Sequence, residues 1–266
     1  MDLSRLSLNQ ITTERLTLPE AIAACRRHNI PHIGVWRHKL GECGLTTSAS
    51  LMKDNGLSVS SLCRGGMFPA STQTGRQQRI DDNHTAIDQA AAIGTDVLVL
   101  VCGPAPDRNL PAARAMVADG IAAIRDHARA AKVRLAIEPL HPMFAADRSV
   151  ITTLAEANTL AERLDVAVII DAYHVWWDPD LPAQIQRAGS RIAGFHVSDW
   201  LVPVPDILFG RGMMGDGVIA LHEISRLIDK AGYKGPIEVE IFNRHLQAQD
   251  PDVLLPKLCE RFRDQV

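Results

Sequence analysis

Apolar residues recur along the chain in short runs rich in valine, isoleucine and leucine, each too brief for a helix. They are RLSLNQI near the start, HIGVW at 32–36, LSVSSLC at 57–63 and DVLVLVC at 96–102, followed by VRLAIE at 133–138, VAVIID at 166–171, IAGFHV at 192–197 and IEVEIF at 237–242. Bounded by polar and turn-forming residues, such runs predict buried strands. The intervening segments carry helical spacing and helical punctuation. Thr17-Leu-Pro-Glu20 and Thr153-Leu-Ala-Glu156 have the form of capping boxes, Gly56 and Gly94 stand where C-terminal caps belong, and Asp180 with Pro182 opens another helix. Leu110 to Lys132 predicts one long alanine-rich helix.

Eight strand-helix alternations in 266 residues predict a (β/α)₈ TIM barrel, with residues 1–266 forming a single domain. An open doubly wound sheet is the competing architecture. It normally places a glycine-rich phosphate turn after its first strand, and LNQITTERL contains no glycine.

Composition adds mainly exclusions. With 46% hydrophobic and 22% charged residues the chain is an ordinary globular sequence, and a net charge of −3 offers no surplus field for nucleic acid or anionic lipid. Neither a nucleic-acid partner nor a membrane partner is therefore expected. Cys25, Cys43, Cys63, Cys102 and Cys259 are scattered and odd in number, which argues for reduced thiols over a disulfide framework. No signal-like or membrane-spanning apolar stretch is visible, so a cytoplasmic location is expected.

In a TIM barrel the chemistry lies at the C-terminal ends of the strands. The fifth run ends on Glu138, the sixth on Asp171, the seventh near His196 and the eighth on Glu240. Singly, each has a plain structural explanation as a cap, an ion-pair partner or a hydrogen-bonded core residue. Four in succession on neighbouring strands predict a metal site. Carboxylates with one imidazole suit one divalent ion, with Mn²⁺ placed first and Mg²⁺, Co²⁺ or Zn²⁺ as alternatives.

The motifs AIEPLHP, IIDAYHVWW, GFHVSDW and IEVEIF resemble the strand-end motifs of the xylose isomerase-like TIM-barrel superfamily, in particular its sugar isomerase and epimerase branch, typified by ketose 3-epimerases. The resemblance is strong over the second half of the chain and mainly topological over the first. It implies that Glu138, Asp171, His196 and Glu240 bind one divalent metal. It also implies that Glu138 and Glu240 exchange protons with substrate carbon on opposite faces, and that His174 and Arg211 contact substrate. For His174 the alternative is a partner that orients Asp171; for Arg211 it is an exposed loop residue. The expected function is metal-dependent isomerisation or epimerisation of a ketose, cyclitol or keto-sugar derivative through an enediolate, with a small-molecule carbohydrate as partner.

Other residues leave choices open. Trp36 and Phe68 could wall a sugar pocket or pack in the core, and Trp176 and Trp177 could serve the pocket rim or the interface of a homo-oligomer. The glycine-rich GRGMMGDG segment reads as a lid or turn, since it lacks phosphate-loop spacing. Ketose epimerases of the family usually carry Glu-Pro-Leu-Asn where this chain has Glu138-Pro-Leu-His141. His141 is therefore a candidate acid or base, with capping of the following segment as the alternative. That departure keeps open a lyase that cleaves an oxidised sugar after the same first step. An endonuclease IV-like nuclease and a non-catalytic sugar-binding barrel are minor alternatives, the former lacking its extra histidine ligands at Arg64 and Cys102.

Overall fold

Each of the eight apolar runs forms a strand, and the eight close on one another. A computed structural model describes residues Met1–Val266. The strands are β1 (Leu6–Asn9), β2 (His32–Trp36), β3 (Ser58–Gly66), β4 (Val97–Val101), β5 (Arg134–Ile137), β6 (Ala167–Asp171), β7 (Ile192–Val197) and β8 (Ile237–Val239). All pair in parallel in the circular order β1-β8-β7-β6-β5-β4-β3-β2, with β8 closing against β1. The protein is thus a single-domain (β/α)₈ barrel.

The connecting helices start and stop near the sequence punctuation, although not every expected cap bond is made. Thr17 accepts the Glu20 amide while the Glu20 carboxylate accepts the Thr17 amide, so the helix Leu18–Arg27 opens with a full capping box. The second candidate box is half made: Thr153 accepts the Glu156 amide, but the Glu156 carboxylate takes the amide of Thr152. The long helix runs from Leu110 to Ala130 and ends near the expected boundary. Asp180 precedes the helix Leu181–Ala188 without a side-chain bond to its backbone, its carboxylate accepting from Gln184 instead.

Alternation along the strands divides the apolar side chains into two groups. Leu98 and Leu100 of β4 join the large cluster of 63 buried residues that joins the barrel to its helices. Val97 and Val99, the alternate positions, belong to a separate cluster of seven with Cys63, Ala136, Ala167, Ile169 and Ala193, which fills one side of the barrel interior. The other side is polar. Ser7 and Asn9 of β1, Ser60 of β3 and Glu238 of β8 are joined there by hydrogen bonds. All five cysteines are free, and no helix is long and apolar enough to cross a membrane.

Candidate metal centre and active site

Parallel pairing brings the expected ligands level. Asp171 is the lateral partner of His196 across β6 and β7, and His196 is the partner of Glu238 across β7 and β8. Glu138 and Glu240 each follow directly on the last residue of their strands. One ligand atom from each of Glu138, Asp171, His196 and Glu240 lies within 4.8 Å of the others, and all four residues are buried. Donors on opposite sides of an ion bound at about 2.1 Å would be about 4.2 Å apart, so a small cation fits between them.

Two of the donor atoms also lack other employment, whereas the Asp171 and Glu240 oxygens accept from neighbours. His196 Nδ1 lies 3.2 Å from Glu138 Oε1, yet the two are not aligned as a hydrogen bond, and each is buried without a partner. Two inward-facing donors left unsatisfied in a dry interior are costly unless something binds between them. The residues present therefore fit a divalent ion.

His196 is held from behind. Its Nε2 lies 3.5 Å from Glu238 Oε2, while Asn9 Nδ2 donates to that same oxygen at 2.8 Å and Ser60 Oγ donates to Oε1 at 2.8 Å. Trp36 Nε1 in turn donates to Asn9 Oδ1 at 2.8 Å, which fixes the amide orientation. Gly34 of β2 completes the cradle, because a Cβ there would collide with the Glu238 carboxyl. A carboxylate set against the far nitrogen of a ligand imidazole fixes the ring and its tautomer. Glu238 is not at a strand end and so does not stand out in the sequence, although the alternation in Ile237-Glu-Val-Glu240 puts both glutamates on the same face of β8.

Arg211 lies at the centre of the charges. Its Nη1 donates to Asp171 Oδ2 at 2.9 Å, Glu240 Oε2 at 3.0 Å and the Glu240 carbonyl at 3.2 Å, while Nη2 donates to His174 Nε2 at 3.1 Å. The guanidinium also lies over the rings of Tyr173 and Phe242, at 4.6 and 5.0 Å from their centroids. It is 4% exposed, so the exposed-loop alternative does not hold.

The segment around Arg211 is anchored. Residues Asp199–Trp200 pair antiparallel with Arg211–Gly212, and Asp199 accepts the amides of Trp200, Gly215, Gly217 and Ile219. Gly217 is required here because a Cβ would meet the Trp200 carbonyl. GRGMMGDG is a tightly bonded turn, with Met213 and Met214 fully buried.

Burial and neighbouring charge set the protonation pattern. Burial pushes Asp171 up to about 7, against the pull of Arg211, and raises Glu138 as well. Burial would also raise Glu240, but Arg211 and His196 outweigh it and hold that carboxyl down to about 2. Burial works against a charge on His196, yet Glu238, Glu138 and Glu240 carry its basicity well above the usual range. Burial, with Arg211 alongside, holds His174 far below the range of a free histidine.

The ligand glutamates open into a cavity of about 130 Å³ lined also by Trp36, Arg64, Phe144, Arg148, His174 and Arg211. A larger cavity of about 360 Å³ lies around Arg134, Ala167 and Arg191, at the N-terminal ends of the strands. The smaller one is lined by the carboxylates of Glu138 and Glu240 and is the candidate active site.

The other expected site residues divide. Trp36 and His174 line the cavity; His174 Nε2 accepts from Arg211, so it has no proton to give Asp171 Oδ2, 3.5 Å away, and meets that carboxylate only through the guanidinium they share. Phe68 does not reach the cavity: it is 2% exposed, with its ring against Gly120 of the long helix, and packs in the core. His141 is not among the cavity-lining residues either. Its Nδ1 accepts the Met143 amide at 3.2 Å, capping the turn Pro142–Phe144, and its ring stands against Trp177 and Trp200. Trp177 is anchored by donation from Nε1 to the His174 carbonyl, and Trp176 packs near Trp200.

A barrel with a carboxylate-histidine cluster at the C-terminal rim of its last four strands defines a class, and comparison with known proteins agrees. Residues 22–265 match the family model for the xylose isomerase-like TIM barrel, and the chain belongs to that family. It is similar to protein SMc04130 from Sinorhizobium meliloti 1021, with 47% identity over 99% of each chain and a TM-score of 0.97. More remote in sequence is the IolI protein with a bound zinc atom, at 17% identity over 98% of each chain and a TM-score of 0.86. Similarly remote is the 3-keto-D-glucoside 4-epimerase YcjR from E. coli, at 18% identity over 97% of this chain and 99% of that one, with a TM-score of 0.78. No curated protein matches the sequence.

Proposed function

We propose that the protein is a divalent-metal-dependent isomerase or epimerase of a ketose, cyclitol or other keto-sugar derivative. The observation that carries this reading is the pair of buried glutamates, Glu138 and Glu240, that belong to the four-residue cluster and also line the cavity. An ion bound by Glu138, Asp171, His196 and Glu240 would supply Lewis acidity to a substrate carbonyl, easing loss of the proton on the adjacent carbon. One glutamate accepts that proton and the other returns one from the opposite side, which inverts the carbon or moves the carbonyl. His174 and Arg211 orient the substrate oxygens. Tyr173 and Phe242 flank the Arg211 guanidinium and hold its plane. The 17% identical relative with bound zinc and the 18% identical epimerase are consistent with this chemistry.

The test is incubation with ketoses, keto-inositols and 3-keto-glycosides in deuterated water. Deuterium should enter next to the carbonyl, chelation should stop it, and Glu138→Gln and Glu240→Gln should each slow it by about 10²–10⁴ at saturating metal. Cleaved product would move the assignment to a lyase. Undiminished exchange in both glutamine variants would remove the glutamates from the proton-carrying role.

A further inference from the structure

The cavity above the ligand cluster is poorly suited to a substrate recognised through hydroxyl groups alone. Apart from the glutamates, His174 and Arg211, its walls include Trp36, Val101, Leu140, Phe144, Leu208 and Phe242, and the strongly polar groups that remain are two further arginines, Arg64 and Arg148. Arg211 is already engaged by Asp171, Glu240 and His174. The other two are not.

Arg64, at the C-terminal end of β3, is half-buried between this cavity and a neighbouring one of about 320 Å³. The carboxylate that could neutralise it there, Asp82, is taken by Arg37 through both oxygens at 2.8 Å. The Arg64 carbonyl accepts from Arg37, while its guanidinium has no acceptor in the protein. Arg148 reaches the cavity from the loop after β5. Its backbone is fixed, with the amide donating to Phe144 and the carbonyl accepting from Gly103. Its Nε is buried without a hydrogen-bond partner, and the nearest carboxylate, on exposed Asp147, is 3.7 Å away.

One of these half-buried guanidiniums has no carboxylate partner and the other only exposed Asp147 at 3.7 Å, so both forks remain open to a planar or tetrahedral oxyanion. Charge balance points the same way. The three ligand carboxylates and Glu238 behind His196 outnumber Arg64, Arg148 and Arg211 by one charge, and a bound divalent ion turns that balance cationic.

We infer that the substrate carries an anionic group, a carboxylate or a phosphate, which Arg64 and Arg148 hold at the cavity rim while its keto-alcohol end faces Glu138 and Glu240. The inference rests on the proposed function for its keto-alcohol half; the anion half stands on the arginines. Specificity then comes from charge at one end and from carbonyl chemistry at the other, with apolar walls between.

The test measures binding and exchange separately. D-Fructose, its 6-carboxylate and its 6-phosphate are titrated calorimetrically into Mn²⁺-loaded wild type and into Arg64→Gln/Arg148→Gln, and deuterium uptake is followed in the same samples. At least one anionic ligand should bind about tenfold or more tightly than fructose, the scale of one charge-assisted hydrogen bond. Which one does so distinguishes carboxylate from phosphate. The double variant should lose that preference while keeping its metal content and its affinity for fructose. Should it fail to fold, Arg64→Lys and Arg148→Lys singly should each weaken the anionic ligand, since an ammonium keeps the charge but loses the fork. Equal binding of neutral and anionic ligands, no binding of either anion, or an unchanged preference in the variants would overturn the inference. Anion preference without exchange would leave the arginine site standing and count against the isomerase reading alone.

Discussion

The two sides of the barrel interior are built on opposite principles. Between β4 and β7, Val97, Val99, Ala136, Ala167, Ile169 and Ala193 fill the space by packing. Across from them, buried Ser7, Asn9 and Glu238 make a bonded polar layer with half-buried Ser60. Packing is tolerant of identity so long as volume is kept, whereas a buried carboxylate is tolerable only when each oxygen has its donor. The apolar side serves the barrel. The polar side serves His196, and through it the metal cluster.

Variants on the two sides should fail differently. Ile169→Ala, a fully buried truncation, should cost about 2–5 kcal/mol in denaturant unfolding while the folded protein keeps its metal affinity. Glu238→Gln should instead weaken metal binding by about 10–100-fold in calorimetric titration, with a smaller loss of stability. If Glu238→Gln binds metal like wild type, the polar layer is structural only and the contrast between the sides falls.

The effect of pH sharpens the contrast. Asp171 is raised to about 7 by burial, so the metal-free fold favours the protonated acid. That stabilisation is fully present below the ordinary carboxylate range and is lost as pH rises toward and through about 7. Metal requires the ionised form. The rise in melting temperature on adding metal should therefore be larger at pH 8 than at pH 5, and a shift independent of pH would contradict the assignment of Asp171 as a ligand.

The smallest effect is expected at His141. Asparagine is also a good cap, and the imidazole lies among Met143, Trp177 and Trp200 outside the cavity lining. His141→Asn should leave turnover within a few fold and the pH profile unchanged. Loss of one limb of that profile would restore the histidine to the proton-transfer chemistry.

The barrel and the four-residue cluster were legible because both follow from local pattern. Eight apolar runs with helical segments between them leave little choice of topology, and an acid or histidine at the end of a buried run is conspicuous. Arg211 was found through resemblance, and its burial could not have been read from a glycine-rich loop. Phe68 and His141 were ambiguous because an aromatic or histidine just past a strand can turn to the cavity or to the nearest helix or turn, and long-range packing decides. Glu238 had a local signal in its alternation with Glu240. Its partners Asn9, Gly34 and Ser60 lie more than 170 residues away in sequence, so its purpose appears only once β8 closes on β1.

The central claim is that Glu138, Asp171, His196 and Glu240 together hold one divalent ion. The most direct measurement is the metal stoichiometry of purified wild type and Asp171→Ala after loading with Mn²⁺ or Zn²⁺ and removal of excess, with circular dichroism confirming that both are folded. One ion per chain in the wild type and essentially none in the variant is the predicted result. A folded Asp171→Ala protein that retained one ion per chain would contradict it.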